Sequence, residues 1–236
     1  MRIEYLPWDS DFFKKKIGKV SINNGEIIDV DLLGKQAYED DYKLLYLFSD
    51  NDLQLIDRYS ETIHVELVDK KVVYDRIVKP KDKSNDSLPQ YTASNISEEL
   101  ENLAYLSGQH SRFRIDSNFT DADFFKLYKT WITKSVSKEI ADIIFIAEES
   151  DKIVGMVTLK MNDKIGHIGL IAVSSETQSR GYGQKLINSC FNLLLEKDID
   201  YIEVPTQMDN IQACRFYEKC GFNIKSLTYI YHLSLV

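Results

Sequence analysis

The feature that most constrains this chain is an apolar run that ends in a glycine turn and restarts as a helix. Ile165-Gly166-His167-Ile168-Gly169-Leu170-Ile171-Ala172-Val173 is rich in β-branched residues and reads as a buried strand. Downstream of Arg180-Gly181-Tyr182-Gly183-Gln184-Lys185, the residues Leu186, Ile187, Cys190, Phe191 and Leu194 form a helical stripe suited to packing on a sheet. A strand that turns through glycine into a helix leaves several backbone N–H groups unpaired at one point, where the helix dipole also favours negative charge. That arrangement is a phosphate cradle. Gly181 is expected to supply a positive φ and Gly183 a close backbone approach to an anion, with Arg180 and Lys185 adding charge at the rim. The third glycine of the dinucleotide fingerprint and the Gly-Lys-Ser/Thr end of the ATP loop are both missing, so the cradle requires a different phosphate ligand.

Gln178-Ser179-Arg180-Gly181-Tyr182-Gly183 resembles the Gln/Arg-x-x-Gly-x-Gly/Ala signature of the GCN5-related N-acetyltransferases, the GNAT family. Asn210-Ile211-Gln212-Ala213-Cys214-Arg215-Phe216-Tyr217-Glu218-Lys219-Cys220-Gly221-Phe222 is similar to the family's second block, Asn-x-x-Ala…Phe-Tyr-x-x-x-Gly-Phe. Two blocks in the right order are far more specific than one glycine signature. The resemblance implies an α/β fold with a mixed, largely antiparallel central sheet flanked by helices, with acetyl-CoA as co-substrate and no metal. It also implies that Gln178, Arg180, Gly181, Tyr182, Gly183 and Gln184 hold the pyrophosphate, Asn210 the pantetheine arm, and an N–H near Ala172 or Val173 the acetyl carbonyl.

Ser111-Arg112-Phe113-Arg114, Thr206-Gln207-Met208-Asp209-Asn210 and the start Trp8-Asp9-Ser10-Asp11-Phe12-Phe13 resemble the dTDP-fucosamine acetyltransferases of that family. This implies a nucleotide-linked amino sugar of the dTDP-4-amino-4,6-dideoxyhexose type as acceptor, work in lipopolysaccharide or surface polysaccharide biosynthesis, and a homodimer. Gln109, Arg112, Arg114, Thr206 and Gln207 are then the acceptor-binding candidates, since a planar guanidinium binds phosphate oxygens in pairs and amides suit sugar hydroxyls. Other amines stay open as acceptors, namely a protein N-terminus, a polyamine or an antibiotic. A CoA-binding module without catalysis is the remaining alternative.

Among 236 residues, 37 are acidic and 29 basic, a net charge of −8 that disfavours nonspecific binding to nucleic acid or to an anionic membrane. The apolar runs fall short of a bilayer span and Met1-Arg2-Ile3-Glu4-Tyr5-Leu6-Pro7 lacks a signal-peptide core, so a cytoplasmic protein is expected. Cys190, Cys214 and Cys220 are odd in number and on helical stripes, which fits reduced thiols.

The chain reads as two units. Residues 1–79 are expected to form a truncated GNAT-like α/β domain: strands at 17–22 and 44–48, helices at 30–38 and 52–59, then strands 62–68 and 72–78 paired about Asp69-Lys70. Residues 80–91, polar and bracketed by Pro80 and Pro89, read as a linker. Residues 92–236 form the catalytic domain, with helices at 97–106, 121–136 and 210–220, and strands at 143–148, 153–160, 165–173, 201–205 and 226–235. Trp8, Phe12 and Phe13 suit either the interface between the two units or a core, and a core is the expectation.

Acetyl transfer from a thioester to an amine needs an acid for the departing thiolate and a base for the ammonium. Tyr217 is the candidate acid, seven residues from Asn210 and so on the same helix face, with a phenol pKa close to that of an alkyl thiol. A packed aromatic is the competing reading. Glu203 and His167 are weak candidates for the base, more simply read as strand residues, and Cys214 as an acyl carrier is less economical than Cys214 as a small apolar residue.

Overall fold

The computed structural model describes residues 2–23, 25–55, 58–59 and 63–235. In chain order these form β1 (Glu4–Tyr5), α1 (Pro7–Phe13), β2 (Ile17–Ile22), α2 (Val30–Glu39), β3 (Leu44–Ser49), β4 (Arg58–Tyr59) and β5 (Ile63–Ile77). Then come α3 (Glu98–Ser107), α4 (Arg112–Ile115), α5 (Asp121–Val136), β6 (Ile143–Glu149), β7 (Lys152–Met161) and β8 (Ile165–Val173). The chain finishes with α6 (Tyr182–Glu196), β9 (Tyr201–Gln207), α7 (Ile211–Lys219) and β10 (Asn223–Leu235).

Helix starts follow local capping chemistry. Asp29 and Ser97 accept from the N–H groups of Leu32 and Leu100, and Thr120 with Asp123 forms a reciprocal capping box at the head of α5. The expected helix over 52–59 does not form: 52–55 are irregular and 58–59 are strand, while 56 and 57 lie outside the described residues. A larger correction concerns Asp69-Lys70. No turn occurs there, because β9 and β10 pair with β5 on either side, and β5 runs through as one strand. It absorbs the change of side-chain phase by a bulge, with Asp69 opposite Ile230 and Leu67 opposite Tyr231 so that Val68 is the extra residue.

The strands form one sheet in the order β1-β2-β3-β10-β5-β9-β8-β7-β6, with β4 pairing to the outer part of β5. Most pairs are antiparallel; β2 with β3 and β8 with β9 are parallel. β5, from the first third of the chain, lies between β9 and β10, antiparallel to both. One face of the sheet is covered by α6 and α7, whose Leu186, Ile187, Phe191, Leu194 and Tyr217 pack on Val72, Tyr74, Val157, Ile202 and Val204. The other face carries α3 and α5, and there Phe13, Ile17, Leu44 and Tyr46 share a core with Leu100, Phe124, Leu127 and Met156. Both halves of the chain therefore contribute to that layer.

The proline-bracketed stretch after β5 is strapped along α6. Asn192 accepts from the Ser84 N–H and donates to the carbonyls of Ser84 and Asp86, and Ser189 accepts from the Leu88 N–H at 3.0 Å.

Candidate active site

The site is built where two parallel strands part. β8 and β9 pair only at Ile165, Gly166 and His167 against Tyr201, Ile202 and Glu203. Beyond these residues the strands diverge, and a cleft of about 910 Å3 opens between Gly169–Val173 of β8 and Pro205–Gln207 of β9. A bulge on β8 accompanies the divergence. Val157 pairs with Ile171 but Leu159 with Ile168, and Thr158 of β7 fills the irregularity by accepting from the Leu170 N–H at 2.8 Å.

One end of the cleft is backbone. Gly181 precedes α6 with φ of +85°, a conformation that L side chains rarely adopt, and the first intrahelical bond runs from Lys185 N–H to the Gly181 carbonyl. The N–H groups of Tyr182, Gly183 and Gln184 thus precede the hydrogen-bonded turns and have no side-chain cap. Gln178, Gly181, Tyr182, Gly183 and Gln184 all line the cleft, so the donor set fits a pyrophosphate. Gly183 differs from expectation in one respect. A Cβ there would meet the Phe216 ring at 3.1 Å, so the missing side chain lets α7 approach α6.

Arg180 is on the rim rather than in the cleft: it pairs with Glu149 at 2.8 Å and donates to the Glu176 carbonyl. Gln178 donates to the Val173 carbonyl and accepts from Gln212 of α7, which ties the cradle loop to both walls.

In the middle of the cleft lie Ala172, Val173, Asn210 and Tyr217. Asn210 is the N-cap of α7 rather than a residue on its face; its carbonyl oxygen accepts from Ala213 N–H at 3.1 Å, leaving the amide N–H2 for a ligand. Tyr217 is buried against Tyr74, Phe216 and Phe222. Burial, and after it the Cys220 and Cys214 thiols, raise its phenol above the ordinary value, so it is protonated at neutral pH. Its hydroxyl makes no hydrogen bond among the described residues. Cys214, two residues before Phe216, donates to the carbonyls of Gln207 and Met208 and does not line the cleft.

The other end is made of side chains. Trp8 and Asp9 come from α1, Asp69 and Lys71 from β5, Gln109 and Arg112 from the α3–α4 region, Tyr128 and Trp131 from α5, and Thr206 and Gln207 from β9. Arg112 lies over the rings of Phe113 and Tyr46 at 4.5 and 5.2 Å, and its charge lowers the pKa of both Asp9 and Asp69 against the stronger upward effect of burial. For Asp69, 6% exposed, the balance is a carboxyl pushed up to about 6. Lys71 beside it is pushed down, by burial first and by Arg112 second.

Of the sequence-based acceptor candidates, Gln109, Arg112, Thr206 and Gln207 come together here. Arg114 does not: it pairs with Asp121 and lies over Phe124 and Phe125, outside the cleft. Trp8 corrects the core expectation, being 45% exposed at the mouth and stacked on Phe12, whereas Phe13 is core. Glu203 and His167 lie outside the cleft, where Glu203 faces Lys225.

A family model described as "Acetyltransferase (GNAT) family" matches residues 109–222, which carry α4, the splayed strands, the cradle and α7. That stretch, just under half of the chain, is similar to the GNAT family. Among curated proteins, N-alpha-acetyltransferase 30 of Schizosaccharomyces pombe is 24% identical over 117 residues, 48% of this chain and 78% of that protein. The dTDP-fucosamine acetyltransferase of Escherichia coli O6:H1 is 30% identical over 132 residues, 55% of this chain and 56% of that protein. This chain therefore spans little over half the length of the second relative. A solved structure from Staphylococcus epidermidis, of unknown function, superposes with a TM-score of 0.56 at 16% identity over 93% of this chain and 84% of its own. The fold is the GNAT fold, and its chemistry is acetyl-CoA-dependent N-acetylation. No described helix is long and apolar enough to cross a membrane.

Proposed function

We propose that the protein acetylates the amino group of a nucleotide-linked amino sugar of the dTDP-4-amino-4,6-dideoxyhexose type, by direct attack of the amine. The observation that carries this reading is the assembled end of the cleft. It combines an exposed aromatic face, Trp8 on Phe12, with the buried Asp69, the half-buried Asp9 and amide groups, and so offers a stacking surface for a base, an anionic place for an amine and hydrogen bonds for a sugar. The similarity to a dTDP-fucosamine acetyltransferase supports the same acceptor.

Acetyl-CoA supplies the acetyl group as a thioester. The N–H groups at the head of α6 and Gln178 hold its phosphates, Asn210 meets the pantetheine arm, and β8 near Ala172 and Val173 faces the carbonyl along its unpaired edge. Tyr217 protonates the departing sulfur. A phenol held protonated by burial keeps its proton available at every physiological pH. Arg112, near enough to Asp9 and Asp69 for its charge to lower the pKa of both, faces the acceptor.

A peptide α-amine is the second reading, favoured by the similarity to N-alpha-acetyltransferase 30 and by the acidic lining at Asp9 and Asp69, which suits any cationic amine. The discriminating measurement is free-thiol release from acetyl-CoA with dTDP-4-amino-4,6-dideoxyhexose epimers and with short peptides, for wild type and Tyr217→Phe. Fast release with one sugar epimer, reduced roughly 100-fold or more in the variant while acetyl-CoA still binds, is the expected outcome. Release with peptides alone would replace the sugar by the peptide.

A further inference from the structure

The sheet does more than join the two halves of the chain; it carries a carboxylate from the first half into the second half's cleft. We propose that Asp69, on β5, is the group that faces the acceptor's neutral amine and takes its proton as the nitrogen attacks. The inference rests on acetyl transfer to an amine and holds whichever amine is the acceptor.

Three observations on position support it. The bulge at Val68 shifts the side-chain phase of β5 just before Asp69, and bulges recur beside functional sites because they re-aim a side chain. Asp69 lines the cleft although it is 94% shielded, and its Oδ1 makes no hydrogen bond among the described residues. A buried carboxylate oxygen left without a donor costs free energy unless a ligand or water supplies one. Lastly, Asp69 and Tyr217 reach the cleft from opposite sides of the sheet. Val72 and Tyr74 of β5 pack with Tyr217 under α6 and α7, while Asp69 faces Arg112 of α4 and Tyr128 of α5. An amine can therefore enter from the α4–α5 side while the thiolate leaves toward α7.

The charges acting on Asp69 are Arg112 from α4, Lys71 on its own strand and Asp209 after β9, and Asp69 in turn raises the phenol of Tyr128 from α5. Burial outweighs the two cations and leaves the carboxyl at about 6, ionised at neutral pH yet more basic than an ordinary aspartate. In the transfer, the amine nitrogen bonds to the acetyl carbon and the carbon–sulfur bond breaks, its electron pair going to sulfur. Tyr217 protonates the sulfur and Asp69 accepts the proton from nitrogen. The products are the amide and the free thiol, and solvent returns the proton from Asp69 to Tyr217.

The experiment compares wild type with Asp69→Asn, a change that keeps shape and removes basicity. Thiol release is measured from pH 5 to 9 with the nucleotide amino sugars and the peptides above, acetyl-CoA affinity is measured separately, and the side-chain carboxyls are followed by carbon-13 NMR in the free protein. The expected result is a kcat/KM lower by roughly 100-fold or more in the variant, unchanged acetyl-CoA affinity, and loss of an acid limb near pH 6. A carboxyl resonance titrating near 6 should vanish from the variant's spectrum. Activity within threefold of wild type with the acid limb intact would overturn the proposal, as would a wild type inactive with every amine. Activity with peptides but not sugars would overturn the sugar acceptor alone, and Asp69 would be judged on the peptide ratio.

Discussion

The two ends of the cleft are built by opposite means. The cradle end is one short piece of chain, Gln178 to Gln184, in which the donors offered to a ligand are backbone N–H groups and side-chain identity matters chiefly through the absence of a Cβ. The acceptor end takes Trp8, Asp9, Asp69, Arg112, Tyr128 and Gln207 from five separate elements and depends on what each side chain is. A backbone device can be kept while everything around it changes. An assembly of side chains can be altered one position at a time, so acceptor choice varies over a constant acetyl-CoA site.

The largest test of that contrast is to remove the first half altogether. If the cradle end were self-sufficient, residues 92–236 would fold and bind acetyl-CoA. We expect instead no cooperative unfolding transition and no binding, read by calorimetry and by ligand titration. Without β5, β9 and β10 lose the strand that lies between them, and the layer on the α3–α5 face loses Phe13, Ile17, Leu44 and Tyr46. Arg76 of β5 also donates to the Cys220 carbonyl at the end of α7, pairs with Asp82 and covers Phe191. A folded, acetyl-CoA-binding 92–236 would show that the two stretches, which we propose to be units of sequence, are also units of folding.

A smaller but more pointed effect concerns Asp69 and stability. Its carboxyl is raised to about 6 from an ordinary 3.8, so the folded state prefers the protonated form. Well below pH 3.8 the group is neutral folded and unfolded alike and the penalty is absent; it grows as pH rises through 3.8 and reaches its full value above about 6. A shift of about two units corresponds to roughly 3 kcal/mol for so buried a group. Asp69→Asn is therefore expected to be more stable than wild type by about 1–3 kcal/mol at pH 7.5, the difference shrinking toward zero as pH falls below about 3.8, measured by urea unfolding. A variant that gains stability while losing activity marks a residue kept for chemistry. Equal or lower stability at pH 7.5 would mean that Asp69 is held in place by favourable interactions.

The same contrast explains what could be read from the chain. The strand at 165–173 and the helix at 121–136 match their sequence-based bounds, because long periodic runs with clear stops are local signals. The cradle was legible for the same reason. Asp69 was not, since an acid and two lysines between apolar runs look like a turn, and only the neighbours β9 and β10 make them the middle of a strand. The available clue was the lack of any glycine, proline or asparagine between Ile63 and Ile77, a stretch of 15 residues. Trp8 was taken for core because an aromatic cluster usually is; that it faces the cleft follows from α1 lying beside α4 in the same layer.

The smallest expected effects divide the cleft most cleanly. Gly181→Ala forces a Cβ into a left-handed turn at φ +85°, with nothing within 4 Å to clash, so the change acts through backbone strain alone. Strain of about 1–2 kcal/mol should weaken acetyl-CoA binding by roughly tenfold and leave the acceptor's KM unaltered. Trp8→Ala removes an aromatic face that is 45% exposed and touches the cradle nowhere. Loss of one base-stacking partner, about 1–3 kcal/mol, should raise the acceptor's KM by roughly tenfold or somewhat more and leave acetyl-CoA binding as it was. Because the two residues share no partner, the double variant should show both effects in simple product. If Trp8→Ala instead changes neither constant, the acceptor has no stacked base, which would favour a peptide amine; if it weakens acetyl-CoA binding, the two ends of the cleft are not independent and the contrast drawn between them fails.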